Sequence, residues 1–171
     1  IHRHEWEEAE RLLESARDAA HVMSSDLQSY EDLYQAGYTQ DALKEVVEAH
    51  VLHAYVRDLP VPSPADIGVP APAYLNGLAE AASELRRFAL DLIRRDRTAE
   101  AEPYLAIMDE VYSQLVTIDF PDALTGGLRR TTDMLRGVLE RTRGDLTVAL
   151  RQEELQAALA AVERHIASGK A

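Results

Sequence analysis

The stretch WEEAERLLESARDAAHVMSSDLQSYEDLY, from Trp6 to Tyr34, sets apolar or small residues at Trp6, Ala9, Leu13, Ala16, Ala20, Met23, Leu27, Tyr30 and Tyr34. The spacings alternate three and four, the mark of a heptad seam, so a long helix packing near-parallel to its neighbours is expected. Gly37 should end it in the left-handed conformation that glycine tolerates. Thr39 is placed to cap a second helix from Gln40 to about Asp58, with Leu43, Val46, Val47, Val51 and Ala54 on its apolar side. Residues 58–72 hold five of the seven prolines and read as a stiff ordered loop. A third helix is expected from about Pro72 to Arg97, burying Leu78, Ala81, Leu85, Phe88, Leu92 and Ile93. Thr98 can cap a fourth, carrying Tyr104, Leu105, Met108, Val111, Tyr112 and Leu115, which the Asp119-Phe-Pro-Asp stretch breaks. Thr125-Gly-Gly then opens a long last helix to about Ile166, with a kink expected near Gly144. No β alternation competes. The expected fold is one all-α domain over residues 1–171, an antiparallel bundle of five to six helices.

Composition narrows the function classes. With 171 residues the chain can bury its own core, and with no Cys it has no disulfide scaffold, thiolate nucleophile or Cys-ligated zinc. No apolar run is long enough to span a membrane, and a cytoplasmic location is expected. Ile1 reads as lying inside a helix with no initiator Met before it, so the sequence is expected to start late in its protein. The net charge of −12, with 16 Arg and only Lys44 and Lys170 as lysines, suits a salt-rich, halophile-like cytoplasm, where salt screens self-repulsion. That net charge argues against a nucleic-acid partner until its distribution is read. Residues 72–97 carry five Arg against four acids, and residues 121–151 carry six against four.

Two acidic pairs stand out. Glu45 and Glu48 lie about 60° apart on one helix face with Asp41 between them in projection. The bland reading is a solvated face. Scarce basic partners on that helix, only Lys44 and Arg57, favour a hard divalent ion instead. Glu80 and Glu84 form an i,i+4 pair for which Arg87 and Arg95 are available, so a salt-bridged surface explains most of it. His50 and His53 have metal-ligand spacing, but His50 projects with apolar residues and reads as a packed imidazole. Glu-x-x-His is absent, against a ferritin-like di-iron bundle, as are His-Glu-x-x-His and the glycine-rich phosphate loops. Gly126-Gly127 could admit a phosphate, with simple capping the default account. The helix dipole accounts for Arg94, Arg95 and Arg97 but not for Arg86. Arg129, Arg130, Arg136, Arg141 and Arg143 would serve a partner helix or an RNA backbone equally well.

Three stretches resemble the translin and translin-associated factor X family of helix-rich nucleic-acid-binding proteins. They are Leu43-Lys-Glu-Val-Val-Glu-Ala, then Ala73-Tyr-Leu-Asn-Gly-Leu-Ala-Glu-Ala-Ala-Ser-Glu-Leu-Arg-Arg, and the run from Leu128 to Leu146. The resemblance implies a hollow homo-oligomer, an octamer or hexamer, binding single-stranded RNA or DNA. It further implies a Mg²⁺- or Mn²⁺-dependent endoribonuclease of the factor X type, whose acidic pair matches Glu45 and Glu48. The family's Asp position matches Glu80, a departure by one methylene, and Glu84 is a lesser metal-ligand candidate. Arg86, Arg87, Arg129, Arg130 and Arg136 are the implied phosphate contacts. The alternative is a non-catalytic single-strand-binding shell of the translin type.

Overall fold

A computed structural model describes residues 1–168, and among them every regular element is helical. Residues 1–5 precede the first helix, so Ile1 is not helical as expected; it packs against the core near Phe88. Helix α1 (Trp6–Asp26) buries Ala9, Leu13 and Ala20, the expected seam. It then stops short, and the seam does not continue as one helix to Tyr34. Ser24, Ser25, Asp26 and Ser29 are residue types of weak helix propensity, which suits an end here. Tyr30 sits at φ −128°, outside the helical region, and a separate turn, α2 (Glu31–Tyr34), follows.

Helix α3 (Gly37–Val56) corrects two further expectations. Gly37 begins this helix rather than ending the previous one, with Ala36 as its N-cap. Thr39 lies inside the first turn, 1% exposed, where its Oγ1 donates to Leu33 O at 2.8 Å and ties α2 to α3. The proline-rich loop contains one turn, α4 (Pro64–Ile67), fixed by a Ser63–Asp66 capping box and ended by Gly68 at φ 81°. Tyr74 Oη donates to Pro62 O at 2.8 Å and pins that loop to the next helix, α5 (Ala71–Ile93). Arg94–Arg97 fall beyond α5, which ends earlier than the periodicity predicts.

After a 3₁₀ turn at Thr98–Ala101 come α6 (Glu102–Leu115), the single turn α7 (Asp122–Thr125) and α8 (Leu128–Ser168). Gly126 and Gly127 take left-handed φ values of 60° and 82° between α7 and α8, the capping role expected of them. Helix α8 runs unbroken through Gly144, where no end or turn interrupts it.

The bundle is organised around α5, which packs against α3, α6 and α8, while α1 covers α3. Five of the nine buried residues of α5 are alanines (Ala73, Ala79, Ala81, Ala82, Ala89), small enough for neighbours to approach on several sides. Leu43, Val47, Val51, Leu85, Met108, Leu135 and Leu139 are fully or almost fully buried around it. Each such side chain contributes roughly 1.5–3 kcal/mol by leaving water.

The closest approach is at Gly77. A Cβ there would stand 2.6 Å from Val47 Cβ and 2.7 Å from Lys44 O, so only glycine lets α5 cross α3 at this level. One helical turn on, the two helices present their acidic residues to each other.

Candidate metal and nucleic-acid site

Glu45 and Glu48 come from α3 and Glu80 from α5, one turn past the Gly77 crossing. Each offers a carboxylate oxygen, and these oxygens lie within 4.8 Å of one another. Oxygens bound to one octahedral Mg²⁺ are about 3.0 Å apart when cis and about 4.2 Å when trans, so small side-chain movements would draw the trio onto one ion. The longer Glu80 side chain therefore reaches the same point as the acidic pair. Three hard anionic oxygen donors are the chemistry that Mg²⁺ or Mn²⁺ takes. Glu84 is not one of the trio. It lines the same cleft, and its Oε2 is buried with no donor aimed at it, although His2 Nε2 stands 3.1 Å away.

Charge is crowded here. Burial, then the neighbouring Glu45, Glu80 and Glu84, push the Glu48 carboxyl up to about 7, with Lys44 pulling the other way. Burial and the nearby Arg87 lower His2 below its usual value despite Glu84, so at neutral pH its imidazole adds little positive charge. Lys44 Nζ donates to Glu80 Oε1 at 3.0 Å. The expected local salt bridges are not the ones formed. Glu80 pairs across helices with Lys44, Glu84 stands against His2, and Arg94 pairs with Asp91 at 3.1 Å.

Two clefts meet at Glu80. One, of about 440 Å³, is lined by Glu48, Glu84, Ser83, Arg86, Arg87 and Val138 as well as Glu80. The other, of about 590 Å³, carries Asp41, Lys44, Gly126, Gly127 and Arg130. Glu80, Thr131 and Met134 belong to both, so Glu80 sits where the two clefts join, with Glu48, Arg86 and Arg87 along one and Lys44 and Arg130 along the other, while Glu45 lines neither. Asn76 builds its wall. Buried, it donates to Pro72 O at 2.9 Å and Thr125 O at 2.8 Å and accepts from Thr131 Oγ1 at 2.6 Å, joining α5, α7 and α8.

The structure divides the five predicted phosphate contacts. Arg87 and Arg130 are exposed on the groove. Arg86 lines it too, but its guanidinium is engaged, donating to Asp145 Oδ2 at 2.7 Å and Thr142 Oγ1 at 3.2 Å. Arg129 and Arg136 do not join the site. Seven residues apart on one face of α8, they line a separate cleft of about 450 Å³ with Tyr112 and Asp119, and Arg136 pairs with Asp133 at 3.4 Å. Nor do the histidines gather a metal group. His53 is the more buried of the pair, at 8%, and stands 3.6 Å from Glu10; His50 Nδ1 lies 2.7 Å from Val46 O. Sequence reasoning named Lys44 only as one of two basic residues on its helix and did not foresee its pairing with Glu80 across the α3–α5 crossing.

The arrangement has relatives. The crystal structure of AfC3PO superposes with a TM-score of 0.67 at 32% identity, covering 88% of this chain and 74% of that one. The chain belongs to the translin/C3PO family. A second C3PO structure, the AfC3PO–duplex RNA complex, matches with a TM-score of 0.66 at 27% identity over 85% of this chain and 89% of that one. The fold is shared with apo-NeC3PO at a TM-score of 0.77 and 22% identity, covering 86% and 76% of the two chains. An uncharacterized protein of Methanocaldococcus jannaschii is 33% identical over 128 residues, which are 74% of this chain and 57% of that relative's length. No family model matches. The translin-like all-α bundle expected from the motifs is the fold observed. Within it, Asn76 and Gly77 have local physical roles: Asn76 ties three helices together and Gly77 permits the α3–α5 crossing. No helix among the described residues is long and apolar enough to cross a membrane.

Proposed function

We propose that the chain is the subunit of a homo-oligomeric, Mg²⁺- or Mn²⁺-dependent endoribonuclease. The observation that carries this reading is the convergence of Glu45, Glu48 and Glu80 within 4.8 Å, with Glu80 where two clefts join. A family structure bound to duplex RNA, 27% identical, supports RNA as the ligand. Single-stranded RNA is the proposed substrate, and single-stranded RNA or DNA the proposed ligand class, as the clefts offer phosphate contacts on both sides of Glu80.

Glu45, Glu48 and Glu80 would hold the ion, with Glu84 at the rim. Bound there, a divalent metal lowers the pKa of a coordinated water and offsets charge on the phosphate. Glu48 gives up its raised-pKa proton when it becomes a ligand. Arg87 and Arg130 place phosphates on either side of Glu80, adding affinity without sequence preference. Gly77 and Asn76 hold the helices that carry these groups.

Helix α8 supports assembly. No residue beyond Leu146 is buried among those described, yet the helix continues to Ser168. Val148, Leu155, Leu159, Val162 and Ile166 are each at least 55% exposed. At 100° per residue they lie about 160–220° round from Leu146, an apolar stripe on the side away from the buried seam. A second copy of the chain would cover it, and an octamer or hexamer is the proposed assembly.

A non-catalytic, RNA-binding shell is the second reading. One observation favours it: Lys44 already neutralises part of the acidic trio. Incubation of labelled single-stranded and duplex RNA with Mg²⁺ or with EDTA separates the two. The proposal expects cleavage of the single strand with Mg²⁺ only, and its loss in a Glu45→Ala, Glu48→Ala double variant that still binds RNA. Binding without cleavage favours the shell. Cleavage by the double variant would refute this site.

A further inference from the structure

The trio is already in contact with a cation of the chain's own. Lys44 Nζ lies 3.0 Å from Glu80 Oε1, 3.6 Å from Asp41 Oδ1 and 3.9 Å from Glu45 Oε1. Its side chain is 20% exposed, against 67% for Glu45, so the ammonium is held between α3 and α5 while the acid beside it is largely open to solvent. Two of its three carboxylate partners are thus the residues whose oxygens converge with that of Glu48.

We propose that Lys44 is a resident counter-ion of the site, and that a divalent ion binds only as this ammonium leaves Glu80. The inference rests on the metal reading above. A divalent ion coordinated by Glu80 would stand within a few ångströms of an ammonium hydrogen-bonded to the same carboxylate, and like charges at that range repel even at the dielectric of water. An ammonium that leaves Glu80 must find another partner. Asp41 is the partner it keeps, and the 590 Å³ cleft beside it, lined also by Gly126, Gly127 and Arg130, is the space it turns into. Displaced there, the same charge adds to the phosphate-binding end of the groove.

Residue type fits the task. The chain uses 16 Arg and only two Lys. A guanidinium at position 44 would grip Glu80 through two parallel hydrogen bonds, whereas an ammonium on a flexible four-carbon stem can change partners.

The test is a Mn²⁺ titration by calorimetry, metal alone and no RNA, of the wild-type chain and Lys44→Met. Removing a unit charge next to the ion should tighten Mn²⁺ binding by about tenfold or more. Because Lys44 and Lys170 are the only lysines, a ¹⁵N spectrum of the wild-type ammonium groups gives a second measure that needs no variant. The Lys44 signal should shift on saturation with Mg²⁺. Equal or weaker Mn²⁺ binding by Lys44→Met, or a Lys44 signal that Mg²⁺ leaves in place, overturns the inference and leaves the metal site standing. Failure of both proteins to bind Mn²⁺ removes the metal reading itself, and this inference with it.

Discussion

At the scale of the residue, Glu48 decides how the protein responds to pH. Its carboxyl is pushed up to about 7 in the fold by burial and by the acids around it, from a usual value of 4.5. Below pH 4.5 folded and unfolded forms both hold the proton. Between there and about 7 the unfolded chain loses it while the folded chain keeps it, so stability falls as pH rises through that window. Above it the loss is complete and constant. Glu48→Gln removes the effect, which for a half-exposed group is on the order of 1 kcal/mol. Without divalent cations the variant should melt a few degrees above wild type at pH 8, the difference closing by pH 5. Thermal melts at both pH values check this, and equal melting temperatures at pH 8 would contradict it. The arginines differ in kind. Arg86, bound to Asp145 and Thr142 across α5 and α8, should cost roughly 1–2 kcal/mol of stability when changed to Ala. Arg130→Ala should leave the melting temperature unchanged but weaken RNA binding, and reduce the salt dependence of log K by about one unit of slope.

At the scale of the element, Gly77 reverses the usual glycine rule. Glycine to alanine inside a helix ordinarily stabilises by about 0.5–1 kcal/mol. At Gly144 in α8 an added Cβ would meet nothing within 4 Å, and Gly144→Ala should follow that rule. Gly77→Ala should instead cost about 1–3 kcal/mol, because its methyl meets Val47 and the Lys44 carbonyl, and should weaken Mn²⁺ binding by prising α3 from α5. Denaturant titration of the pair reads the two signs directly. The same scale sets how much was legible in the sequence. The 3.6-residue periodicity placed a helix at each of the five long elements and much of the buried side of four of them, but gave no buried face for α8. It could not locate the break after Asp26, because apolar spacing continues through Tyr34 whether or not the backbone stays helical, and Gly37 fits a helix start as well as an end. The acidic pair on α3 was legible because both members share one helix. Its convergence with Glu80 was not, since that depends on the crossing at Gly77, and the resemblance to a family supplied what spacing could not. The division of the arginines was hidden for a similar reason. Arg129 and Arg130 are neighbours in sequence but lie about 100° apart on α8, so they line different clefts.

At the scale of the whole molecule, the outer half of α8 carries hydrophobic side chains that the described residues leave uncovered. A Leu155→Glu, Leu159→Glu double variant changes two exposed positions, so the stability of the isolated subunit should move by no more than about 0.5 kcal/mol per site. Its assembly should collapse towards the 19.0 kDa monomer, while wild type sediments as a multiple of that mass. Light scattering after gel filtration distinguishes the two, and a wild-type monomer would contradict the proposed shell. In the proposed assembly one face of each subunit must stay open to RNA at the groove. The most direct measurement is anomalous diffraction from crystals of the protein soaked in Mn²⁺. The predicted result is a Mn²⁺ peak within about 2.2 Å of carboxylate oxygens of Glu45, Glu48 and Glu80, with the Lys44 ammonium withdrawn from Glu80. Crystals saturated with Mn²⁺ that show no peak between these three residues, or a peak only elsewhere, would contradict it.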